Sequence, residues 1–142
     1  MELSPKIKNK ITESFAAQSM MKTMAVKIVK IDSGHVTLAS PISTGCRQQQ
    51  GFGHAALTFA LGDTAAGYAA LTMIPEDMEV LTSEIKVNLL APAVGNRLRA
   101  EGRVIKPGRR LVVVQSDVYA ETDEGEKHIA ILTGTMVPVS PS

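Results

Sequence analysis

Asp63 is the only charged side chain in the twenty residues Ala55–Ile74 (AALTFALGDTAAGYAALTMI). An ionised carboxylate in so apolar a segment is costly unless it is hydrogen-bonded, paired or open to a working cavity. No Lys or Arg lies within a helical turn of it. It therefore reads as a functional carboxylate, against the plainer reading of one satisfied by a neighbouring hydroxyl such as Thr64 or capping a backbone group. His54 stands nine residues earlier. On a regular helix that spacing turns through about 900° and rises about 13 Å, so the two side chains leave opposite sides. A His54–Asp63 dyad within one chain is excluded; the two either act apart or meet across a subunit interface.

The start of the same helix offers backbone chemistry. Ala55 and Ala56 would present unpaired N–H groups at its positive end, a place for a developing oxyanion. Gly51 and Gly53 would let a ligand approach the main chain, and Gln48, Gln49 and Gln50 could orient a water or a carbonyl. Cys46 with His54 as base is a weaker nucleophile reading, because free cysteines are mostly buried and inert. His35 and His128 lack metal-ligand partners at useful spacing, so no metal is expected. Lys106-Pro107-Gly108-Arg109-Arg110 is a basic turn, either simply solvated or a clamp for the phosphates of a cofactor-sized ligand.

These groups need elements to hold them. Ser4-Pro5 reads as the start of an amphipathic helix over 4–24, with Ile7, Ile11 and Phe15 on its apolar side and Lys6, Lys8 and Lys10 solvated. Residues 24–40 read as two strands around an Asp32-Ser33-Gly34 turn, and 41–53 as a loop. The long helix then runs from Ala55 to a stop near Pro75. Strands follow at 81–89, 97–106, 110–121 and 128–139, the first alternating Leu81, Ser83, Ile85, Val87 and Leu89 with polar residues. Helix, two strands, long helix and four strands imply an α+β fold with an antiparallel sheet wrapped around the central helix. That helix is apolar all round, so a partner subunit is expected to cover what the sheet does not.

The chain has 142 residues with 15 Lys+Arg against 14 Asp+Glu, enough for a single domain over 1–142. The near-neutral balance, the absence of Trp and only five Phe plus Tyr give no footing for nucleic-acid binding. One cysteine and no leader-like start point to a cytoplasmic protein. The Ala55–Ile74 stretch is long enough to span a bilayer, but Asp63 at its centre would cost about 2.5–3.5 kcal/mol, so no membrane insertion is expected.

Gln48–Gly67 (QQQGFGHAALTFALGDTAAG) resembles the hotdog-fold acyl-CoA thioesterases of the PaaI-like, phenylacetate-degradation branch. Gly51, His54 and Asp63 fall at the spacing of that family's Asn-x-x-Gly-x-x-His-Gly-Gly signature and following carboxylate. The Thr82–Pro92 strand with Ala93 and Gly95 is also similar. The resemblance implies a homodimer, in a dimer of dimers, that hydrolyses an acyl-CoA with no separate cofactor. It gives Asp63 the role of nucleophile or general base, and Thr82 that of a hydroxyl assisting the water. The Ala55 N–H would polarise the thioester carbonyl from the other subunit, with Ala56 beside it, and His54 would position the loop or the carbonyl. Phe59 would line the acyl tunnel, and Arg109 and Arg110 would receive the nucleotide end. The family's Asn is Gln48 here and its Gly-Gly is Ala55-Ala56. A hydratase or dehydratase on the same fold, and a non-catalytic acyl-thioester binding module, are the alternatives.

Overall fold

The computed structural model describes residues 2–141. The elements run α1 (Pro5–Ala17), α2 (Ser19–Thr23), β1 (Lys27–Asp32), β2 (His35–Pro41), a short 3-10 turn (Thr44–Cys46), α3 (Ala55–Leu71), β3 (Glu79–Leu89), β4 (Arg97–Lys106), β5 (Val112–Thr122) and β6 (Gly125–Val139). The six strands form one antiparallel sheet in the order β1-β2-β4-β5-β6-β3, curved around α3 as expected. Among the described residues no helix is long and apolar enough to cross a membrane.

The inner face of the sheet carries Val36, Leu38, Leu98, Ala100, Val112, Val114, Val118, Leu132 and Met136, all fully buried. Small residues let α3 sit close on them. A methyl on Gly62 would come within 2.6 Å of Leu132, and one on Gly102 within 2.3 Å of the Ala65 backbone. The Ser116 hydroxyl donates to the Gly62 carbonyl at 2.6 Å. These contacts fix the height and register of α3 on either side of Asp63, which is how the packing positions that carboxylate.

The outer face is polar. Arg99 reaches Glu101, Glu121 and Glu126 and lies 4.7 Å over the Tyr119 ring. The guanidinium holds the Glu126 carboxyl below its ordinary range, and the three carboxylates push the Arg99 pKa higher still.

Three sequence expectations change. The single helix over 4–24 is two helices, broken at Gln18, whose extended backbone (ψ 98°) ends α1. Lys10 is not solvated: its ammonium donates to the carbonyls of Glu76 and Met78 and clasps α1 to the segment before β3. The long helix ends at Leu71 rather than near Pro75, because the Thr72 hydroxyl turns back to Ala69 O and accepts from Gly34 N–H.

β3 departs furthest from its pattern. Leu81 and Leu89 are 60% and 56% exposed, although alternation places them inside. A register shift between Thr82 and Glu84 breaks the alternation. The strand is also an edge, paired only with β6.

Candidate active site

Asp63 lies in the middle of α3, half-buried, on a stripe the sheet leaves uncovered: Phe59, Ala60, Asp63, Thr64 and Gly67 are all partly or fully exposed. Its partner is not Thr64. The Thr82 hydroxyl on β3 donates to Asp63 Oδ1 at 2.7 Å and also lies 3.2 Å from Met136 Sδ. Asp63 makes no salt bridge among the described residues and borders a cavity of about 210 Å³. Ser14 and Gln18 at the end of α1, Tyr68 on α3, and Glu79 with Thr82 on β3 line the same cavity.

The start of α3 is a separate structure. His54 has extended dihedrals and acts as the N-cap: its Nδ1 accepts from the Ala56 N–H at 2.8 Å, which places the ring proton on Nε2. Of the two N–H groups expected to be free, Ala56's is therefore occupied. Ala55's makes no hydrogen bond among the described residues, and Ala55 is exposed.

The preceding loop is braced on itself. Gln48 Oε1 accepts from the N–H groups of Gln50 and Phe52, and Arg47 donates to the carbonyls of Gly51 and Ile42. Gly51 takes a left-handed φ of 86°, which suits glycine. The close approach at Gly53 is to the chain itself: its N–H donates to Ala93 O at 2.9 Å, and an added methyl would meet Ala93 at 3.0 Å. Gln48, Gly53, Ala55, Thr58 and the Leu89–Ala93 segment surround a cleft of about 460 Å³.

Asp63 and the Ala55 N–H lie eight residues or about 12 Å apart along α3, and Ala55 does not border the Asp63 cavity. Phe59, 38% exposed, points out on the uncovered stripe. Cys46 accepts the His54 N–H through its carbonyl, and both residues border a further surface pocket. Arg109 and Arg110 stand on an exposed turn, and Arg109 borders a cleft with Met73–Pro75, at the opposite end of α3 from Ala55. They border neither the Asp63 cavity nor the cleft at Ala55. Among the described residues no cluster of three or more His, Cys, Asp or Glu side chains could hold a metal ion.

Sequence reasoning missed the α1 wall of the cavity. Its only signal was Tyr68, a phenol within a largely apolar helix, which requires a polar neighbour when buried. The bracing role of Arg47 had no signal at all.

Comparison with known proteins bears on the family and the fold. Residues 50–127 match the family model described as the thioesterase superfamily. A thioesterase family protein from Silicibacter pomeroyi is 38% identical and superposes with a TM-score of 0.93, over 95% of this chain and 99% of that one. The PaaI protein of the Escherichia coli phenylacetic acid degradation operon shares the fold at 18% identity, with a TM-score of 0.86 over 99% of this chain and 98% of its own. The chain belongs to the thioesterase superfamily. Its architecture is the PaaI-like hotdog, a sheet wrapped around one central helix.

Proposed function

We propose that this protein hydrolyses an acyl-CoA to the free acid and CoA in a site shared between two copies of the chain. The observation that carries this is Asp63: a carboxylate with no salt bridge among the described residues, held by the Thr82 hydroxyl at the border of a cavity. The N–H of Ala55 needed to polarise a carbonyl lies too far along the same helix to serve it.

A second copy supplies the missing half. The eleven-residue edge strand β3, with Leu81 and Leu89 exposed, is an unpaired hydrogen-bonding edge of the kind that recruits another strand. It adjoins the uncovered stripe of α3. Pairing there would bury Phe59 and bring the Ala55 N–H of one copy toward Asp63 of the other. The Ala55 N–H, at the positive end of the α3 dipole, then receives the thioester oxygen as charge develops on it. Asp63 Oδ2 either takes a proton from water, which adds to the carbonyl carbon, or attacks that carbon itself. The C–S bond breaks and the thiolate leaves, taking up the proton Asp63 removed on the first route or one from solvent on the second, where water then opens the acyl–Asp63 anhydride to release the acid and restore the carboxylate. His54 and Gln48 serve this step indirectly, by capping the helix and bracing the loop so that the Ala55 N–H stays aimed outward.

Complementation tests both parts. Asp63→Asn removes the carboxylate. Ala55→Pro removes only the N–H, at the first helical position where proline is well tolerated and behind a His54 already extended. Each alone should lower thiol release from acyl-CoAs by about 100-fold or more. Mixed and re-equilibrated, the two should regain about a quarter of wild-type turnover, since half the dimers then carry one intact site of two. No recovery on mixing, with both variants folded and dimeric, refutes the shared site; full turnover by Asp63→Asn refutes the chemistry.

A further inference from the structure

The start of α3 keeps a single backbone donor for a ligand, because the His54 cap takes the Ala56 N–H and leaves only that of Ala55. A carbonyl oxygen has two lone pairs, so a second donor has a place beside it. Three side chains with a hydrogen to give border the cleft at Ala55: Gln48, Gln50 and Thr58. The two glutamines face each other, Gln48 Nε2 donating to Gln50 Oε1. Thr58 has no such tie.

Thr58 is only 2% exposed, yet its hydroxyl makes no hydrogen bond among the described residues. The usual outlet for a helical threonine is a carbonyl one turn back, which Thr12 takes at Lys8 and Thr23 at Ser19. Thr58 leaves the His54 carbonyl to backbone N–H groups. Other buried hydroxyls are engaged: Thr37 on Glu101, Thr72 on Ala69 O and Ser116 on Gly62 O. Ser40 Oγ also lacks a partner, but Ser40 does not border this cleft. Side chains on a helix lean toward its N-terminus, so Thr58, one turn after Ala55, covers the patch beside it. Side chains at that offset stand about 5–6 Å apart, a gap that one acceptor oxygen bridges with two ordinary hydrogen bonds.

Resting on the thioesterase reading above, we infer that the Thr58 hydroxyl is a second catalytic donor to the thioester oxygen, beside the Ala55 N–H. The hydroxyl keeps its proton throughout, and its bond strengthens as negative charge develops on that oxygen. In the shared site it stands with Ala55, facing Asp63 of the other copy.

Thr58→Val keeps the shape and removes the hydroxyl; Thr58→Ser keeps the hydroxyl and removes the methyl. In thiol release from acetyl-, hexanoyl- and phenylacetyl-CoA, Thr58→Val should lower kcat by about 100-fold, with KM raised no more than about fivefold. Thr58→Ser should keep most of the wild-type rate. A purely structural threonine gives the reverse order, because serine opens a void against the sheet and valine fills it. Mixed with Asp63→Asn, Thr58→Val should regain about a quarter of wild-type turnover, and mixed with Ala55→Pro it should regain none. Calorimetric binding of two hexanoyl-CoA analogues is independent of turnover: the ketone 2-oxoheptyl-dethia-CoA and the thioether S-hexyl-CoA, which lacks the carbonyl. The wild type should prefer the ketone by about 5- to 10-fold, and Thr58→Val should lose most of that preference. Wild-type kcat in Thr58→Val, a larger loss in Thr58→Ser, recovery on mixing with Ala55→Pro, or a ketone preference unmoved by Thr58→Val overturns the inference. A preference that Thr58→Val abolishes, with no thiol release from any ester, supports the donor while sinking the hydrolase reading, so the two fail separately.

Discussion

Gly102→Ala is a severe test of how the fold holds the carboxylate. A methyl built on Gly102 lies 2.3 Å from the Ala65 carbonyl carbon, 2.4 Å from its oxygen and 2.6 Å from the Ala66 nitrogen. All three are backbone atoms, so no rotamer change relieves the overlap. Ordinary contact begins at 3.4 Å, so helix and strand must separate by about 1 Å. β4 is held on both sides by β2 and β5, which leaves α3 as the element that yields. Overpacking of a core costs about 1–3 kcal/mol, and a backbone clash belongs at the upper end. At about 2–4 °C per kcal/mol for a domain near this size, Tm should fall by about 6–12 °C. Asp63 is two residues from Ala65, while its partner Thr82 stays on β3, so their hydrogen bond opens. A displacement of that size lowers kcat/KM by about 100-fold. Scanning calorimetry and thiol release measure the two effects. Gly67→Ala is the stability control: nothing lies within 4 Å of its added methyl, and alanine in mid-helix should stabilise by about 0.5–1 kcal/mol. A Gly102→Ala protein with wild-type Tm and wild-type turnover would show that helix–sheet contact does not set the Asp63 position.

Two further expectations follow from groups at other points of the chain. His54→Ala removes the acceptor for the Ala56 N–H and should cost about 1 kcal/mol, read as a drop in the urea midpoint, while His54→Asn, itself a good cap, should restore most of it; equal losses in both would refute the capping role. Arg99→Met should destabilise by about 2 kcal/mol at neutral pH, a figure kept low because its partners are partly exposed. The sign with pH follows from Glu126, whose folded pKa is depressed. Its contribution is present above the ordinary glutamate value and is lost as pH falls through the lowered one. The gap between wild type and Arg99→Met should therefore be widest at about pH 7 and close below about pH 4. A gap that stays constant would assign the loss to packing on Tyr119 instead of charge.

Local chemistry was legible in the sequence where it was local. The cap at Ser4-Pro5, the turn at Asp32–Gly34, the apolar run of β5, and a lone carboxylate in an apolar helix are properties of neighbouring residues. The nine-residue offset of His54 and Asp63 already required their separation, and the helix geometry keeps it. Long-range properties were not legible. Thr82 meets Asp63 only because β3 returns alongside α3. Gln18 breaks a continuous helical pattern to reach a phenol fifty residues away. Lys10 looked solvated because its carbonyl partners lie 66 and 68 residues further on. The exposure of Leu81 and Leu89 reflects an edge whose vacancy no periodicity can report.

The clasp at Lys10 has a consequence for how such a molecule can diversify. The residues that would perform hydrolysis are carried by α3 and β3, elements of the sheet-and-helix framework, where a change such as Gly102→Ala shifts the helix against the strands. Ser14 and Gln18, which shape the far end of the cavity, belong to an outlying segment held by Ile11, the Phe15–Tyr68 contact and the ammonium of Lys10. The proposed reacting groups and the outer wall of the cavity are thus carried by different stretches of chain under different tolerance to change. Exchange of the first two dozen residues between related proteins becomes a way to reshape that wall without touching Asp63 or Thr82, and a fusion attached at that end is placed beside the cavity it could perturb.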